Sequence, residues 1–378
     1  MWMGTYPTTP AYVLSSGELL QDVLNRNKEG LIGETVLSKY GADLPFLPKI
    51  LSIAKALPLQ LHPNKDLASQ LHKKDPDQFG DPNHKPEIAV AFGKFEVFAG
   101  IKPIEQISSL FQLEPLKTLL PDFQPPSEPS KWTNETVREA CRTLLLAPES
   151  IVREISSKLL SIPKSQLGSQ SYILDLLPQL QSQYSPEDNG NLVALLAMNF
   201  LVLDAGDAIY IPADGMHAYL SGDIFECMAR SDNVLNVGFC PRADRNNIDI
   251  FTETLTFRSV DKDSIILPSQ PASKFSKNGK TVIYAPELSE FNLLVTRLAK
   301  SESEFLNKIN GPSIMIVIEG KGKMNVRGES KDLKQGFIYF VGQGVDVEFQ
   351  AEGHNNYDDE DEEDEEEEEL VVYRAYAE

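Results

Sequence analysis

A glutamine and a histidine lie two positions apart inside the leucine-rich segment PLQLHPNK, residues 58–65. Side chains two apart on a β-strand point to the same face, so Gln60 and His62 would share one face while the leucines occupy the other. Burying two polar side chains costs free energy unless each finds a partner. Two explanations are open for the pair: hydrogen bonding within a core, or coordination of a metal ion.

Two further segments supply groups that favour a metal site. DPNHKPEIAVAF, residues 81–92, places Glu87 at the start of an apolar strand, and GDAIYIPADGMHAY, residues 206–219, delivers His217 after a glycine-containing turn. Two imidazoles, a carboxylate and an amide oxygen form a mixed nitrogen and oxygen ligand set. Zn²⁺ suits this set, while the ligand types alone leave Mn²⁺ and Fe²⁺ open.

The elements that must position these groups are predicted to be strands. The apolar runs within residues 44–62 and 86–100 are broken by proline and glycine, and they are rich in β-branched and aromatic residues. This pattern is typical of strands. Strands are predicted again over residues 200–229 and from about residue 259 onward.

A helical block is predicted between these strands. After the proline-rich segment at residues 121–130, apolar residues recur at helical spacing, and Thr133 or Asn134 is the expected helix cap. The predicted buried positions of the first helix are Val137, Ala140, Cys141, Leu144 and Leu145. Those of the second helix, over residues 149–161, are Ile151, Val152, Ile155, Leu159 and Leu160. The turn SPEDNG, residues 185–190, is predicted to end the block.

Two stretches of the chain, IYIPADGMHAY and IYFVGQGVDVEF, resemble each other and begin at residues 209 and 338. Their alignment sets Gly215 opposite Gly344 and His217 opposite Asp346. The similarity indicates a duplicated β-barrel unit. Because only the first copy has the histidine, the metal site is predicted in the first barrel.

These patterns predict a mainly β protein with two jelly-roll barrels, each a double-stranded β-helix, and an inserted α-helical domain. Residues 1–102 and 187–258 would form the metal-binding barrel and residues 103–186 the insertion. Residues 259–378 would form the C-terminal barrel, with an acidic loop at residues 358–369 before a closing strand, LVVYRAYAE.

The net charge of −21 comes in large part from that acidic loop, whose run DDEDEEDEEEEE holds twelve acidic residues. A block of like charges repels itself and stays hydrated, so we interpret it as a disordered surface loop. No basic stripe interleaved with aromatic residues occurs in the sequence, which argues against a nucleic-acid partner.

Several features predict a soluble, cytoplasmic protein. The longest apolar run, residues 192–203, is too short to span a bilayer, and the N-terminus lacks the basic start and apolar region of a signal peptide. The three cysteines have no C-x-x-C spacing, which argues against a disulfide framework or a zinc ribbon. We expect them to be small buried residues, and we expect the chain to be monomeric.

The motifs quoted above match a known family. LSIAKALPLQLHPNK, DPNHKPE and AGDAIYIPADGMHAYLSGDIFECMARSDNV closely resemble segments of type I phosphomannose isomerases, which are zinc enzymes of the cupin class with an inserted helical domain. The resemblance extends from WMGT near the start to YRAYAE at the end. It implies two cupin-like barrels and one Zn²⁺ per chain, and the implied zinc ligands are Gln60, His62, Glu87 and His217.

The reaction implied by this resemblance interconverts mannose 6-phosphate and fructose 6-phosphate, and it supplies mannose for GDP-mannose synthesis and glycosylation. A proton must move between C2 and C1 through a cis-enediol, and zinc acting as a Lewis acid would stabilise the developing oxyanions. A base and an acid must carry the proton. The candidates at pocket positions of the family are His84, Lys85, Tyr219, Glu226 and Asp232. The sequence leaves open which of them takes the C2 proton.

Three more residues fall where the family contacts its phosphosugar substrate: Lys49, Asn236 and Arg242. Plain structural roles stay open beside the functional ones. Tyr219 could be an ordinary barrel aromatic, Glu226 and Asp232 solvated or structural carboxylates, and Lys49 a surface charge. His72 and His354 are interpreted as surface histidines.

The chain departs from the family pattern in its substrate pocket. Asn236 stands where the family has an arginine, and loss of that cation could lower turnover by about 10²-fold if it stabilises the transition state. Arg230, Arg242 and Arg245 lie close in sequence and could compensate. Arg242 matches a basic family position and is the candidate for the phosphate. Pro58 replaces a usual serine, which removes a hydroxyl and a backbone donor near the ligands.

A second departure concerns the start of the chain. Family members carry a further segment upstream of the WMGT motif, with an aromatic and an acidic residue that reach the site. The sequence is therefore expected to be either a shortened one or a variant with an altered pocket and an exposed sheet edge.

Three functions are compatible with these observations. The first is a zinc-dependent phosphosugar isomerase. The second is an iron oxygenase with two histidines and one carboxylate as ligands, although Gln60 as a fourth ligand would take the position that oxygen needs. The third is a non-catalytic or weakly active sugar-phosphate-binding homologue, which Asn236 and the late start favour.

Overall fold

The structure is a computed structural model that describes residues 1–120, 123–257, 262–287, 290–353 and 369–378. His354 and all of the predicted acidic loop except Glu369 lie outside the described residues. By packing, the chain divides into two compact units. The first comprises Met1–Ile50, Phe225–Arg230 and Leu267–Glu378, and the second comprises Leu51–Ile224 and Ser231–Ile266. The predicted three-domain division, with boundaries at residues 102, 186 and 258, remains a prediction.

The α-helices of the described residues are concentrated between residues 104 and 197, as the helical periodicity predicted. They are α1 (Leu20–Arg26), α2 (Lys28–Leu31), α3 (Glu34–Tyr40), α4 (Lys65–Lys74), α5 (Ile104–Leu110), α6 (Glu114–Leu119), α7 (Asn134–Leu146), α8 (Glu149–Leu160), α9 (Lys164–Leu167), α10 (Ile173–Gln183), α11 (Asn189–Ala197) and α12 (Ile248–Thr254). None of these helices has the length and apolar character that crossing a membrane requires.

The strands of the described residues fall on both sides of the helical block. They are β1 (Phe46–Ile53), β2 (Leu59–Leu61), β3 (Glu87–Ala91), β4 (Phe95–Ile101), β5 (Met198–Leu203), β6 (Ala208–Ile211), β7 (His217–Ala229), β8 (Leu235–Gly238), β9 (Gln270–Pro271), β10 (Thr281–Tyr284), β11 (Asn292–Leu298), β12 (Ser303–Leu306), β13 (Ser313–Glu319), β14 (Lys321–Val326), β15 (Glu329–Lys334), β16 (Ile338–Val341), β17 (Val347–Ala351) and β18 (Leu370–Tyr376).

Helices α7 and α8 confirm the predicted helical period with one exception. Thr133 caps α7 by accepting the Thr136 backbone N–H, and all five predicted core positions of α7 are buried. In α8, Val152, Ile155 and Leu159 are buried and Ile151 is partly buried against the same core, but Leu160 is 39% exposed, so its predicted burial is wrong. At about 100° per residue, Leu160 lies about 80° around the helix from Val152, at the margin of the buried stripe.

Helix α11 replaces part of a predicted turn. The segment at residues 185–190 was expected to lead directly into strands, whereas α11 begins at Asn189 with the Asp188 side chain accepting the Gly190 N–H. Every residue of α11 is buried. A helix that is buried on all sides shows no amphipathic period, which is why the sequence pattern did not reveal it.

The second unit contains the predicted metal-binding strands in an antiparallel arrangement with the order β5-β4-β7-β2-β8, and β3 pairs with β6. Alternate residues along these strands pack into two different hydrophobic cores, one on each face of the sheet. Leu59, Leu61 and Ala218 pack in the core shared with the helices, whereas Val97 and Tyr219 pack in a second core. Gln60 and His217 therefore project from the sheet face opposite the helical block.

The first unit contains a six-stranded sheet with the order β16-β13-β18-β11-β10-β9 and a four-stranded sheet with the order β12-β17-β14-β15. One hydrophobic core joins side chains of both sheets, among them Leu294, Met315, Met324 and Phe349. Strand β18, the predicted closing strand, is buried at every residue and pairs with both β11 and β13.

The two similar stretches form equivalent strand–turn–strand units, in which the two strands do not pair with each other, but their alignment is shifted by one residue. Three residues after β6 ends, Asp214 has φ +65°, and three residues after β16 ends, Gly344 has φ +73°. The structure thus aligns Asp214 with Gly344 and His217 with Val347, rather than Gly215 with Gly344. The left-handed backbone position fixes this register, and matching glycines by sequence misplaced it.

Candidate metal centre

Strand pairing brings the predicted ligands together from distant parts of the chain. Gln60 of β2 lies directly across from His217 of β7, and His62 follows the end of β2. Glu87 is the first residue of β3. The strands thus deliver two imidazoles, a carboxylate and an amide to one region of the second unit.

Three of these side chains form a compact buried cluster. The Nε2 atom of His62 is 3.1 Å from Oε1 of Glu87, and the Nε2 atom of His217 is 3.6 Å from Oε2. One ligand atom from each of the three residues lies within 4.8 Å of the others, and all three residues are buried. This spacing allows one ion to contact all three groups.

Hydrogen bonds on the far side of each imidazole fix the ring orientation. His62 Nδ1 is 2.8 Å from the carbonyl oxygen of Asn233, and His217 Nδ1 is 3.0 Å from that of Gly215. A carbonyl oxygen only accepts, so each Nδ1 carries the proton and each Nε2 presents a lone pair. The Nε2 atom of His62 is buried without a hydrogen bond in the described structure. A metal ion would satisfy that atom, and the donor set fits one.

The electrostatics of the cluster favour the protonation states that a metal requires. Burial, reinforced by the positive charge of Lys85, lowers the pKa of His62 to about 4. Burial alone would raise the pKa of Glu87, but His62, Lys85 and His217 together lower it well below its ordinary value. At neutral pH the site therefore offers a neutral His62 imidazole and an ionised carboxylate.

Acidification is expected to destabilise the metal-free protein between about pH 6.5 and pH 4. His62 has a pKa of about 4 when folded and an ordinary value of 6.5, so the unfolded chain binds more protons in this window. Stability then rises with pH and falls on acidification, by about 2 kcal/mol between pH 7 and pH 5. The lowered pKa of Glu87 acts in the same direction below its ordinary value of 4.5.

Urea unfolding of the metal-free protein at pH 7 and pH 5 measures this effect. In a His62→Gln variant, which cannot titrate at that position, most of the difference between the two pH values should disappear. An equal difference in the parent and the variant would show that other groups control the acid response.

Gln60 pairs with His217 across the strands, and its role as a further ligand remains a prediction. Its amide nitrogen donates to the carbonyl oxygen of Pro58 at 3.4 Å. This bond engages the nitrogen, so the amide oxygen is the atom that Gln60 can offer to a cation. Pro58 accepts this bond through its backbone carbonyl, so the bond does not need the serine hydroxyl that the family usually has at this position.

Tyr219 and Lys85 surround the carboxylate of Glu87. The Tyr219 hydroxyl donates to Oε2 of Glu87 at 3.0 Å, and its ring packs edge-on against Phe95. Lys85 Nζ is 3.7 Å from Oε1 of Glu87, and the Lys85 side chain is 14% exposed. Tyr219 is therefore more than a packing aromatic, because its hydroxyl orients the carboxylate of the site.

Replacing Tyr219 with phenylalanine is expected to lower zinc affinity by about 10-fold or more, because groups that orient a ligand carry that much of the affinity. The ring still packs against Phe95, so the urea midpoint of the metal-free protein should change little. Competition for zinc with a chelating dye measures the affinity. Tyr172→Phe is the control, because it removes a hydroxyl that donates to Gln170 elsewhere in the second unit. Its zinc affinity should equal that of the parent.

The other predicted acid and base candidates occupy different environments. His84 is partly exposed and adjoins Lys85 in sequence, and Asp232 is exposed with its backbone N–H donating to Asp81 at 2.8 Å. Glu226 is buried in the first unit, where its carboxylate lies 2.5 Å from Lys49 Nζ. The interpretation of Lys49 as a surface charge is wrong, since Lys49 is buried and Glu226 holds it.

The two remaining substrate-binding candidates, Asn236 and Arg242, lie in different surroundings. Asn236 of β8 lies across from Gln60, and its side-chain oxygen is buried without a hydrogen bond in the described structure. Arg242 is largely exposed and pairs with Glu149 at 2.5 Å. With Lys55 and other residues it lines a cleft of about 310 Å³.

Some expectations about histidine and cysteine positions are also resolved. His72 is partly buried, and its Nδ1 lies 2.6 Å from the carbonyl oxygen of Phe79, so its interpretation as a plain surface residue is wrong. Cys141, Cys227 and Cys240 are free and buried, as predicted.

The sequence pattern missed Asn233, which adjoins the candidate Asp232. Its backbone carbonyl orients His62, and its side-chain nitrogen donates to the carbonyl oxygens of Asp81 and Asn83. A backbone carbonyl leaves no signature in residue types, so only its position beside a predicted site residue could have pointed to it.

Residues 1–104 match the family described as phosphomannose isomerase type I, catalytic domain. The chain is 34% identical to the mannose-6-phosphate isomerase of Schizosaccharomyces pombe, over 100% of this chain and 90% of that protein. It is also 34% identical to the Saccharomyces cerevisiae enzyme of the same name, over 93% of this chain and 86% of that protein. A zinc-bound crystal structure of a mannose 6-phosphate isomerase superposes with a TM-score of 0.80 at 23% identity, covering 100% of this chain and 90% of that one.

The structural likeness confirms the predicted fold class. The antiparallel sheets of both units and the helical block between β4 and β5 follow the architecture of that solved structure over the whole chain. The buried histidine and glutamate cluster thus lies in a fold that has a known zinc-bound counterpart.

Proposed function

The chain belongs to the type I phosphomannose isomerase family, and we propose that it interconverts mannose 6-phosphate and fructose 6-phosphate with one bound Zn²⁺. One observation of the site supports the proposal above the others. His62, Glu87 and His217 bring three ligand atoms together in a buried position, with both histidine rings held in the metal-binding tautomer.

His62, Glu87 and His217 would hold the zinc ion, and Gln60 is proposed as the fourth ligand. When bound, the ion supplies Lewis-acid stabilisation of the negative charge that develops on the sugar oxygens. The protein supports it by excluding water from the ligands, all three of which are buried. Tyr219 holds the Glu87 carboxylate in place through its hydroxyl.

Proton transfer between C2 and C1 of the sugar, through a cis-enediol, needs a group that can both take and return a proton. We propose Lys85 as the first of the candidates to test. Its Nζ atom lies beside Glu87 while a fraction of the side chain remains exposed, so a substrate can reach it, and the neutral amine would take the proton that the ammonium then returns. His84, Asp232 and Glu226 are the further candidates, and Lys49 would act through its ion pair with Glu226.

The phosphate of the substrate is proposed to bind Arg242. Arg242 lines one cleft together with Lys55 and Arg245, and the acidic Glu187 and Asp188 line it too. Asp188 pairs with Arg245, whereas Arg242 is largely exposed, so its guanidinium is the one that can exchange Glu149 for a phosphate. Asn236, across from Gln60, is proposed to donate hydrogen bonds to the sugar from the position where the family has an arginine. The product would feed GDP-mannose synthesis and glycosylation. A cytoplasmic monomer is part of the proposal, and three free buried cysteines agree with a reducing compartment.

A coupled assay from mannose 6-phosphate to fructose 6-phosphate, run beside metal analysis of the same preparation, tests the proposal. The expected result is one zinc per chain together with turnover that a chelator removes and added zinc restores. Zinc without turnover would favour the sugar-phosphate-binding homologue. Iron in place of zinc would favour the oxygenase, which the family membership of the chain disfavours.

A further inference from the structure

Asp214 occupies a backbone conformation that residues other than glycine seldom adopt. Its φ of +65° lies in the left-handed region, where a side chain costs free energy that glycine avoids. In the equivalent turn of the first unit the same position holds Gly344, with φ +73°. The turn that leads into His217 therefore keeps an aspartate where the turn without a metal ligand has the residue that relieves the strain.

The carboxylate of Asp214 connects the two histidine-bearing segments. Its two oxygens accept the backbone N–H of Asn64 at 2.7 Å and the Asn64 side-chain nitrogen at 2.8 Å. Its own N–H donates to the carbonyl oxygen of His62 at 2.7 Å. The turn that leads into His217 is thus bonded at three points to the segment that follows His62.

Asn64 gives this connection a rigid support. Its side-chain oxygen accepts the Leu67 N–H and caps α4, while its side-chain nitrogen reaches Asp214. Asp214 is itself buried. A buried carboxylate with two hydrogen bonds to a helix cap holds a fixed geometry, because breaking either bond leaves a buried polar group unpaired.

We propose that Asp214 is a positioning residue, which sets the separation of His62 and His217 so that both Nε2 atoms meet one ion. The inference rests on the zinc site of the proposed function. Strained residues at functional sites persist when they serve the geometry of the site. At this position the strained residue has a structural role, because its carboxylate joins the two ligand segments, which a glycine could not do.

The test compares zinc affinity in the folded protein with stability of the metal-free protein. Asp214→Gly relieves the left-handed strain and removes the carboxylate. We expect its zinc affinity to fall by about 10-fold to 100-fold, the range typical of residues that orient ligands. Asp214→Asn keeps one acceptor for the Asn64 N–H and tolerates the same backbone, so it should recover part of the loss. Competition with a chelating dye, well below the unfolding temperature, gives the affinities, and urea unfolding of the metal-free variants gives the stabilities.

Arg327→Gly is the matched control. Arg327 is exposed in the first unit and has φ +51°, so glycine relieves the same kind of strain there without touching the site. Its zinc affinity should equal that of the parent. If Asp214→Gly folds and binds zinc as the parent does, the positioning role is refuted. If that variant does not fold, parental affinity in Asp214→Asn refutes it equally. A parent that binds no zinc contradicts the proposed function itself, and the inference with it.

Discussion

Replacing His217 with alanine is expected to abolish tight zinc binding and to lower turnover of mannose 6-phosphate by about 10³-fold or more. His217 contributes one of three clustered ligand atoms, and without it the site loses one of its two nitrogen donors and keeps only His62, Glu87 and the proposed Gln60. Losing a single preorganised electrostatic group from an active site already costs about 10²-fold to 10³-fold. Metal analysis after dialysis and the coupled isomerase assay measure the two effects.

His72→Ala is the control for this experiment. His72 is likewise a histidine of the second unit. It is partly buried and bonded to the Phe79 carbonyl, but it does not belong to the ligand cluster. Its variant should keep one zinc and parental turnover. Retention of zinc by the His217 variant, with its circular dichroism unchanged, would show that the metal binds elsewhere.

Replacing Asn236 with arginine is expected to raise turnover by about 10²-fold with no change in zinc content. Asn236 of β8 lies directly across from Gln60 of β2 and carries a buried oxygen without a hydrogen bond in the described structure. A guanidinium at this position adds a fixed positive charge and removes the unsatisfied oxygen. A cation near a developing oxyanion lowers the activation barrier by this order.

Asn236→Gln separates charge from size, because it lengthens the side chain without making it cationic. Its turnover should stay close to that of the parent. Equal turnover in the arginine and glutamine variants would mean that the missing charge does not limit catalysis, and that another cation, such as Arg242 or Arg245, already supplies it.

The ligand cluster was predictable because its signals are local. Alternation in the segment around Gln60 and His62 fixes which side chains share a face, and an acidic residue opening an apolar strand marks Glu87. The strand–turn–strand motif marks His217. Each signal needs only a few neighbouring residues, and antiparallel pairing then brings the segments together.

The features that the sequence did not reveal depend on contacts between distant segments. Helix α11 shows no amphipathic period because it is buried on every side. The one-residue shift between the two turns depends on backbone φ at Asp214, which residue type does not report. The carbonyl of Asn233 bonds His62 and the carboxylate of Asp214 bonds Asn64, and each bond joins residues more than 100 positions apart.

Strand β18 lies in the middle of its six-stranded sheet, yet it leaves the ribosome after every other strand of that sheet. Until it arrives, β11 and β13 have no neighbour between them, and their facing backbone edges stay open to other chains. Folding of the first unit is therefore a late event in biosynthesis, which the second unit can precede because all of its strands are translated earlier.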